Sequence, residues 1–150
     1  MHLLATQQVD IPEGSAVDLA QTPGDIVVLT AADSEIALLA AARARLACEF
    51  GESFPTLRLA NLLCLSHNFS VDLYVERVIR HAKLVVVRLL GGRSYWPYGV
   101  DQIVATCRDH SIPLALVPGD DRPDPELTAL SSLPTADVNR FWHYLAHGGA

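Results

Sequence analysis

The run Lys83 to Gly92, KLVVVRLLGG, constrains the fold more than any other stretch of the chain. A short block of branched apolar residues closed by a glycine pair reads as a strand covered on both faces, the kind found inside a parallel sheet. The loop that follows, RSYWPYG, then stands at a sheet edge where α/β folds place their binding surfaces. Gly91 and Gly92 permit turns and close approaches that a side chain would forbid. Arg93, Ser94, Tyr95, Trp96 and Tyr98 add one cation, hydroxyls and three aromatic faces. These residue types suit a contact surface more than a catalytic constellation. Trp96 precedes Pro97, a position biased towards extended backbone, and its ring is expected to project outwards. Changes at Arg93, Tyr95 and Trp96 are accordingly expected to alter stability by less than ~0.5 kcal/mol.

The rest of the chain alternates strand and helix signals around this stretch. A short strand is expected at 2–6 (HLLAT), a second at 25–31 (DIVVLTA), a third near 56–60, the central one at 84–90 and a fifth at 112–117. Between them, a helix over about 34–49 is expected to be capped by Asp33 and to turn Ile36, Leu39, Leu46 and Phe50 towards the sheet. A second, capped by Ser70, carries the stripe Val71, Tyr74, Val75, Val78, Ile79 and Ala82. Pro97 and Gly99 set the start of a third, with Val100, Ile103, Val104 and Cys107 inward. Asp124 and Pro125 open a short helix over 125–131. A final helix from about 136 to 147 buries Val138, Phe141, Trp142 and Leu145. Alternation of this kind predicts a three-layer α/β fold, flavodoxin-like or Rossmann-like, with a parallel sheet of about five strands.

Composition narrows the classes. A length of 150 residues predicts one domain with a real core. No apolar run approaches the ~18–20 residues that span a bilayer, and the opening MHLLATQQVD lacks a secretory pattern. A cytoplasmic protein is expected, with no membrane partner. The net charge of −6 argues against nucleic acid. Cys48, Cys64 and Cys107 are widely spaced, with no CxxC pair, and are expected to be buried free thiols.

Four loops should meet beyond the carboxyl ends of the strands: Asp33 and Ser34; Asn61 to Asn68, with His67; Gly91 to Tyr98; and Gly119, Asp120, Asp121 and Arg122. Together they could form a cleft with carboxylates at its ends and arginine and aromatics in the middle. Equally, Asp33 could be only a helix cap and the GDD sequence only a turn. His143 and His147 stand four apart on the last helix, but a third metal ligand is missing, so no metal site is assigned. No GxxxxGK[ST], GxGxxG or GxSxG occurs, which removes nucleotide-loop, dinucleotide and nucleophile-elbow readings. A phosphoacceptor receiver is excluded too, since Pro118-Gly119-Asp120 follows the last strand and the only lysine is Lys83.

The segments DIVVLTAADSE, LRLANLL, SVDLYVERVIRHAKLVVVRLLGG, LLGGRSYWPYG and LVPGDDRPDPEL, in this order, resemble the amino-terminal region of the large, CobN-type subunit of aerobic cobaltochelatase. The likeness runs from His2 to about Gly149, and that large subunit is itself related to the porphyrin-binding subunit of magnesium chelatase. It implies a domain at the front of a much longer chain whose complex inserts cobalt into the corrinoid hydrogenobyrinic acid a,c-diamide. In that family ATP is used by two smaller subunits, one of AAA+ type, and cobalt and ATP are handled by the full complex. The fragment alone is expected to hold no cofactor and to show no ATPase or cobalt-insertion activity. From their loop positions and residue types, Gly91, Gly92, Arg93, Tyr95, Trp96, Tyr98, His67, Asn68, Asp120, Asp121 and Arg122 are expected to contact the corrinoid or the small subunits, while the resemblance carries no catalytic residue onto these positions. A docking module for the small subunits and a free-standing small-molecule binding domain are the alternatives.

Overall fold

The computed structural model describes residues 18–147, apart from the side chains of Glu52 and His147. Four strands, β1 (Ile26–Thr30), β2 (Leu57–Asn61), β3 (Leu84–Leu89) and β4 (Leu114–Pro118), form one sheet in the order β2-β1-β3-β4. Every pairing is parallel, with Val28 beside Leu59 and Val86, and Val86 beside Ala115. The α/β class and the central place of the Lys83–Gly92 run therefore hold. The strand expected at 2–6 lies outside the described residues.

Side-chain alternation along each strand divides the core in two. Val27, Leu29, Ala60, Val85, Val87, Leu89, Leu114 and Leu116 point to one face, where α2 (Asn68–Arg77), α3 (Pro97–Asp109) and α4 (Pro125–Leu130) seal them in. Val28, Leu59, Val86, Ala115 and Val117 point to the other, which is covered by α1 (Asp33–Phe50) and α5 (Thr135–His147). Cover on this second face is thin. Ile36 and Leu39 of α1, and Phe141, Trp142 and Leu145 of α5, pack on it but stay half-buried, and Val138 is the one buried helix residue there among those described.

The helix caps differ from the sequence expectation in two places. Asp33 is already the first helical residue of α1; Ala32 occupies the cap position, with no side-chain bond to the helix. Asp33 instead accepts a hydrogen bond from Asn61 Nδ2 at 2.9 Å. Ser70 lies inside α2 and is buried, because the helix starts three residues earlier: His67 is the cap, and its Nδ1 accepts from the Phe69 N–H at 3.1 Å. The imidazole replaces the hydroxyl that a cap usually offers. Asp124 does cap α4, through Oδ1 and the Leu127 N–H at 3.2 Å. The α2 stripe also ends early: Val78 leaves the helix, and Ile79–His81 continue as a 3-10 turn that still buries Val78, Ile79 and Ala82. On α1, Phe50 does not face the sheet but is exposed.

Both outer edges of the sheet are closed by side chains. Ser131 and Ser132, between α4 and α5, accept the Leu116 and Leu114 N–H groups of β4 at 2.8 Å each. Gln21 donates to Leu59 O of β2 at 2.7 Å, and Arg58 reaches back to Thr22 O at 2.7 Å. Strand edges left with free backbone groups invite pairing with other chains, and these contacts block it.

Candidate functional site

The carboxyl ends of β1 and β3 lie side by side at the centre of the sheet, and the chain leaves them in opposite directions to reach β2 and β4. This is the position at which open α/β sheets bind ligands. The loop after β3 is shaped by backbone and glycine contacts. Gly91 and Gly92 both take positive φ, 91° and 74°. A Cβ at Gly92 would fall 2.6 Å from Asp124 Oδ2, so the turn is held against the start of α4. A short 3-10 turn, Arg93–Tyr95, then leads to Pro97 at the first position of α3.

Within this loop the expected outward projection of Trp96 is overturned. Its backbone is extended in φ (−150°), as the residue before a proline should be, yet the indole turns inward and is 7% exposed. Nε1–H donates to Leu65 O at 2.9 Å, which ties the loop to the turn after β2. Gly99 makes room for the ring: a Cβ there would lie 2.0 Å from Cε2 of Trp96. Extended backbone constrains the chain path but not the side to which the ring swings. Trp96 is thus a core residue, and the small stability effect expected for its replacement does not apply.

Arg93 and Tyr98 are also engaged within the domain. The guanidinium makes a two-pronged bond to Asp101, Nε to Oδ1 at 3.0 Å and Nη2 to Oδ2 at 2.7 Å, which raises its proton affinity further. Tyr98 donates its hydroxyl to Asp72 Oδ1 at 2.7 Å, a bond that pushes the phenol above its ordinary range. Tyr95 is left facing solvent, and Leu90, just after β3, is exposed as well. The turn after β2 and the first turn of α2 add two more exposed apolar side chains, Leu63 and Phe69. His67 and Asn68, at the start of α2, are exposed as well.

On the other side of the same sheet edge lie the acidic turn and a charged cluster that the sequence reading missed. Asp120 Oδ1 accepts from the Arg122 N–H at 3.0 Å, which makes the turn, while Asp120 O accepts from Trp142 Nε1 at 2.7 Å. Asp121 and Arg122 are exposed. Arg88 of β3 points to the α1–α5 face and is nearly enclosed, with 11% of its side chain exposed. It pairs with Glu35 of α1, and it donates to the carbonyls of Pro118, Gly119 and Leu145 at 3.2 Å each. Glu35 is held in turn by Thr30 Oγ1 of β1 at 2.5 Å. Desolvation lowers the proton affinity of Arg88, with the Asp120 charge acting against it. One guanidinium therefore joins two strands, two helices and the acidic turn. A lone arginine inside an apolar strand was the available signal, but its partners lie on other elements.

The loops at this edge are thus connected in pairs. Trp96 and Tyr98 join the Gly91–Tyr98 segment to the Asn61–Asn68 segment and α2, and Asp33 meets Asn61. Asp120 is held by Trp142 of α5 and lies in the field of Arg88. Among the described residues, no three His, Cys, Asp or Glu side chains gather as a metal site. His143 lies against Trp142, with ring centroids 5.4 Å apart, and the side chain of His147 is outside the described set. Of the thiols, Cys107 is buried, and burial pushes its pKa up to about 12; Cys64 is half-buried, and Cys48 is exposed on α1, contrary to expectation. No helix among the described residues is long and apolar enough to cross a membrane.

No protein-family profile matches the chain. It is 50% identical over 151 residues to an aerobic cobaltochelatase subunit CobN of Pseudomonas aeruginosa, and 46% identical over the same length to one from a Sinorhizobium species. These alignments take in 99% and 100% of the chain, which spans 12% of each relative. Among solved structures, the catalytic subunit of cobaltochelatase from Mycobacterium tuberculosis superposes with a TM-score of 0.59 at 30% identity, over 84% of this chain and 9% of that one. The chain therefore belongs to the family of CobN-type aerobic cobaltochelatase subunits, matching one domain-sized portion of them.

Proposed function

We propose that this chain is the amino-terminal domain of a cobaltochelatase large subunit and serves cobalt insertion as a contact domain without chemistry of its own. The observation that carries this reading is the 50% identity over essentially the whole chain to a subunit named for that activity. In this reading the complete enzyme inserts cobalt into hydrogenobyrinic acid a,c-diamide, driven by ATP that an AAA+ type subunit and its accessory partner hydrolyse.

The carboxyl edge is the contact surface, centred on Gly91, Gly92, Arg93, Tyr95 and Tyr98, with His67 and Asn68 on one flank and Asp120, Asp121 and Arg122 on the other. The polar groups of the loop favour contact over catalysis. Arg93 and Tyr98 already have carboxylate partners, so neither is an uncommitted acid or base. Trp96 contributes by fixing the platform from below. Tyr95, Leu90, Leu63 and Phe69 supply the apolar and aromatic area that anchors a partner. A small-subunit interface fits these side chains better than an enclosed macrocycle site, because all four are exposed to solvent.

The test is a large subunit carrying Tyr95→Ala and Leu90→Ser together, assayed for small-subunit association and corrinoid affinity. Weakened association with unchanged corrinoid binding is the expected result. Loss of corrinoid affinity alone would assign the edge to the substrate, and no change in either would remove the edge from function.

A further inference from the structure

We infer that the outward side of α1 is a second buried contact in the assembled subunit, occupied by an apolar helix from the large-subunit chain outside these 150 residues. The inference rests on the reading of the chain as part of that subunit, and concerns the face opposite α2 and α3.

An 18-residue helix on the outside of an α/β domain should be apolar towards the sheet and charged towards water. On α1 the charged residues gather towards the two ends of the helix. Asp33 and Glu35 lie in the first turn, where Asp33 meets Asn61 and Glu35 meets Arg88, and the next charged position is Arg43. The exposed side between them, and on towards the end, carries Leu38, Ala41, Ala44 and Cys48, with Arg45 and Glu49 the charges in that stretch. Leu38 is 68% exposed and Phe50, at the end of the helix, 59%. No residue of α1 is buried, although its sequence is apolar on both sides. A helix with this composition is stable in water only at a cost in exposed apolar area, and it is normally an interior element.

Two observations select the occupant. The chain spans 12% of its relatives, so most of each relative lies outside it and includes the material that could cover α1. A net charge of −6 on each copy opposes self-association, whereas the outward α1 face, where exposed Arg45 and Glu49 cancel, carries no net charge beyond the first turn and favours a neutral, largely apolar neighbour. Ala41 and Ala44 flanked by Leu38 let another helix approach closely, since interaxial distance follows the size of the side chains at the crossing.

Cys48 stands in this exposed row and reports on its cover directly. The experiment compares maleimide labelling of Cys48, read by peptide mass, in the 150-residue chain and in a full-length large subunit containing it. Cys107 serves as the buried control. Labelling at least about tenfold slower in the full-length subunit is expected, with the fast rate restored by Leu38→Glu while circular dichroism stays unchanged. Equal rates in the two proteins would overturn the inference. So would protection that appears in the 150-residue chain on raising its concentration, which would make the occupant a second copy, or protection that requires the small subunits. Because the readout is labelling and not activity, its failure leaves the contact role of the carboxyl edge standing.

Discussion

The two faces of the sheet are finished to different degrees. On the α2–α3–α4 face, Leu29, Val87, Ile103, Leu116 and Leu127 are almost wholly enclosed, and Trp96 closes the end of the layer. On the α1–α5 face, Val28, Leu59, Val86, Ala115 and Val117 are covered by helices whose own apolar residues remain half open. A groove of about 270 Å³, lined by Leu84, Leu133, Asp137, Arg140, Phe141 and Tyr144, persists at the amino end of that face. What pins α1 and α5 there is polar at one end: the Arg88 cluster reaches Glu35 on one helix and Leu145 O on the other. One face thus holds itself together by packing, and the other by a charged clasp over a thinner apolar layer. A domain that stood alone would gain by closing both; one embedded in a larger subunit does not need to.

The comparison breaks most easily at Trp96. Trp96→Ala removes a buried ring and its bond to Leu65 O, and a loss of about 3–5 kcal/mol is expected in a urea titration. Leu39→Ala, on the open face, should cost less than about 2 kcal/mol, since a half-exposed side chain leaves little cavity. Equal losses at the two positions would erase the contrast between the faces.

The clasp gives the next largest effect. Arg88→Met leaves Glu35 enclosed with a charge and only Thr30 to meet it, so a loss of about 2–3 kcal/mol is expected, below the 3–5 of a fully buried pair. Adding Glu35→Leu should recover most of it, because the uncompensated charge, not the missing attraction, is the main penalty. A double variant as unstable as the single one would show that the carbonyl bonds of Arg88 dominate.

A pH effect follows on the sealed face. Burial pushes the Tyr74 hydroxyl well above the ordinary tyrosine range, with Arg58 pulling slightly the other way, and the hydroxyl donates to Gln21 Oε1 at 2.7 Å. The folded state keeps this proton where the unfolded chain releases it. Its contribution to stability is therefore complete below about pH 10 and declines as the pH rises beyond that value. Cys107, with its pKa pushed up to about 12, acts in the same direction. Tyr74→Phe should flatten the alkaline decline of the urea midpoint; an unchanged slope would assign the decline to other groups. The smallest effect is expected at Arg93→Ala, within about 1 kcal/mol, because the Asp101 pair is largely exposed.

These differences mark what the sequence could and could not convey. Strand positions and the helices from Val71 and Val100 onward were legible because apolar periodicity over several turns fixes both element and face. The caps at Asp33 and Ser70 were misplaced by up to three residues because several polar residues compete at a helix start, and His67 takes the role by ring geometry. At the site, the position of the Gly91–Tyr98 loop was readable from the strand that precedes it, whereas the division of labour within it was not. Only the pairing of Trp96 with Gly99, three positions on, hinted that the ring turns inward. Arg93, Tyr98 and Arg88 depend on Asp101, Asp72 and Glu35, and all three partners lie on other elements of the chain.

The account rests on the carboxyl edge being a platform with a buried support and an exposed contact. Its most direct test is Tyr95→Ala in a full-length large subunit, with melting temperature and small-subunit association measured on the same preparation. The account predicts an unchanged melting temperature and association weakened about tenfold or more, as for an aromatic anchor at an interface. A melting temperature lowered by several degrees with association at the wild-type level would contradict it and return the whole loop to the core.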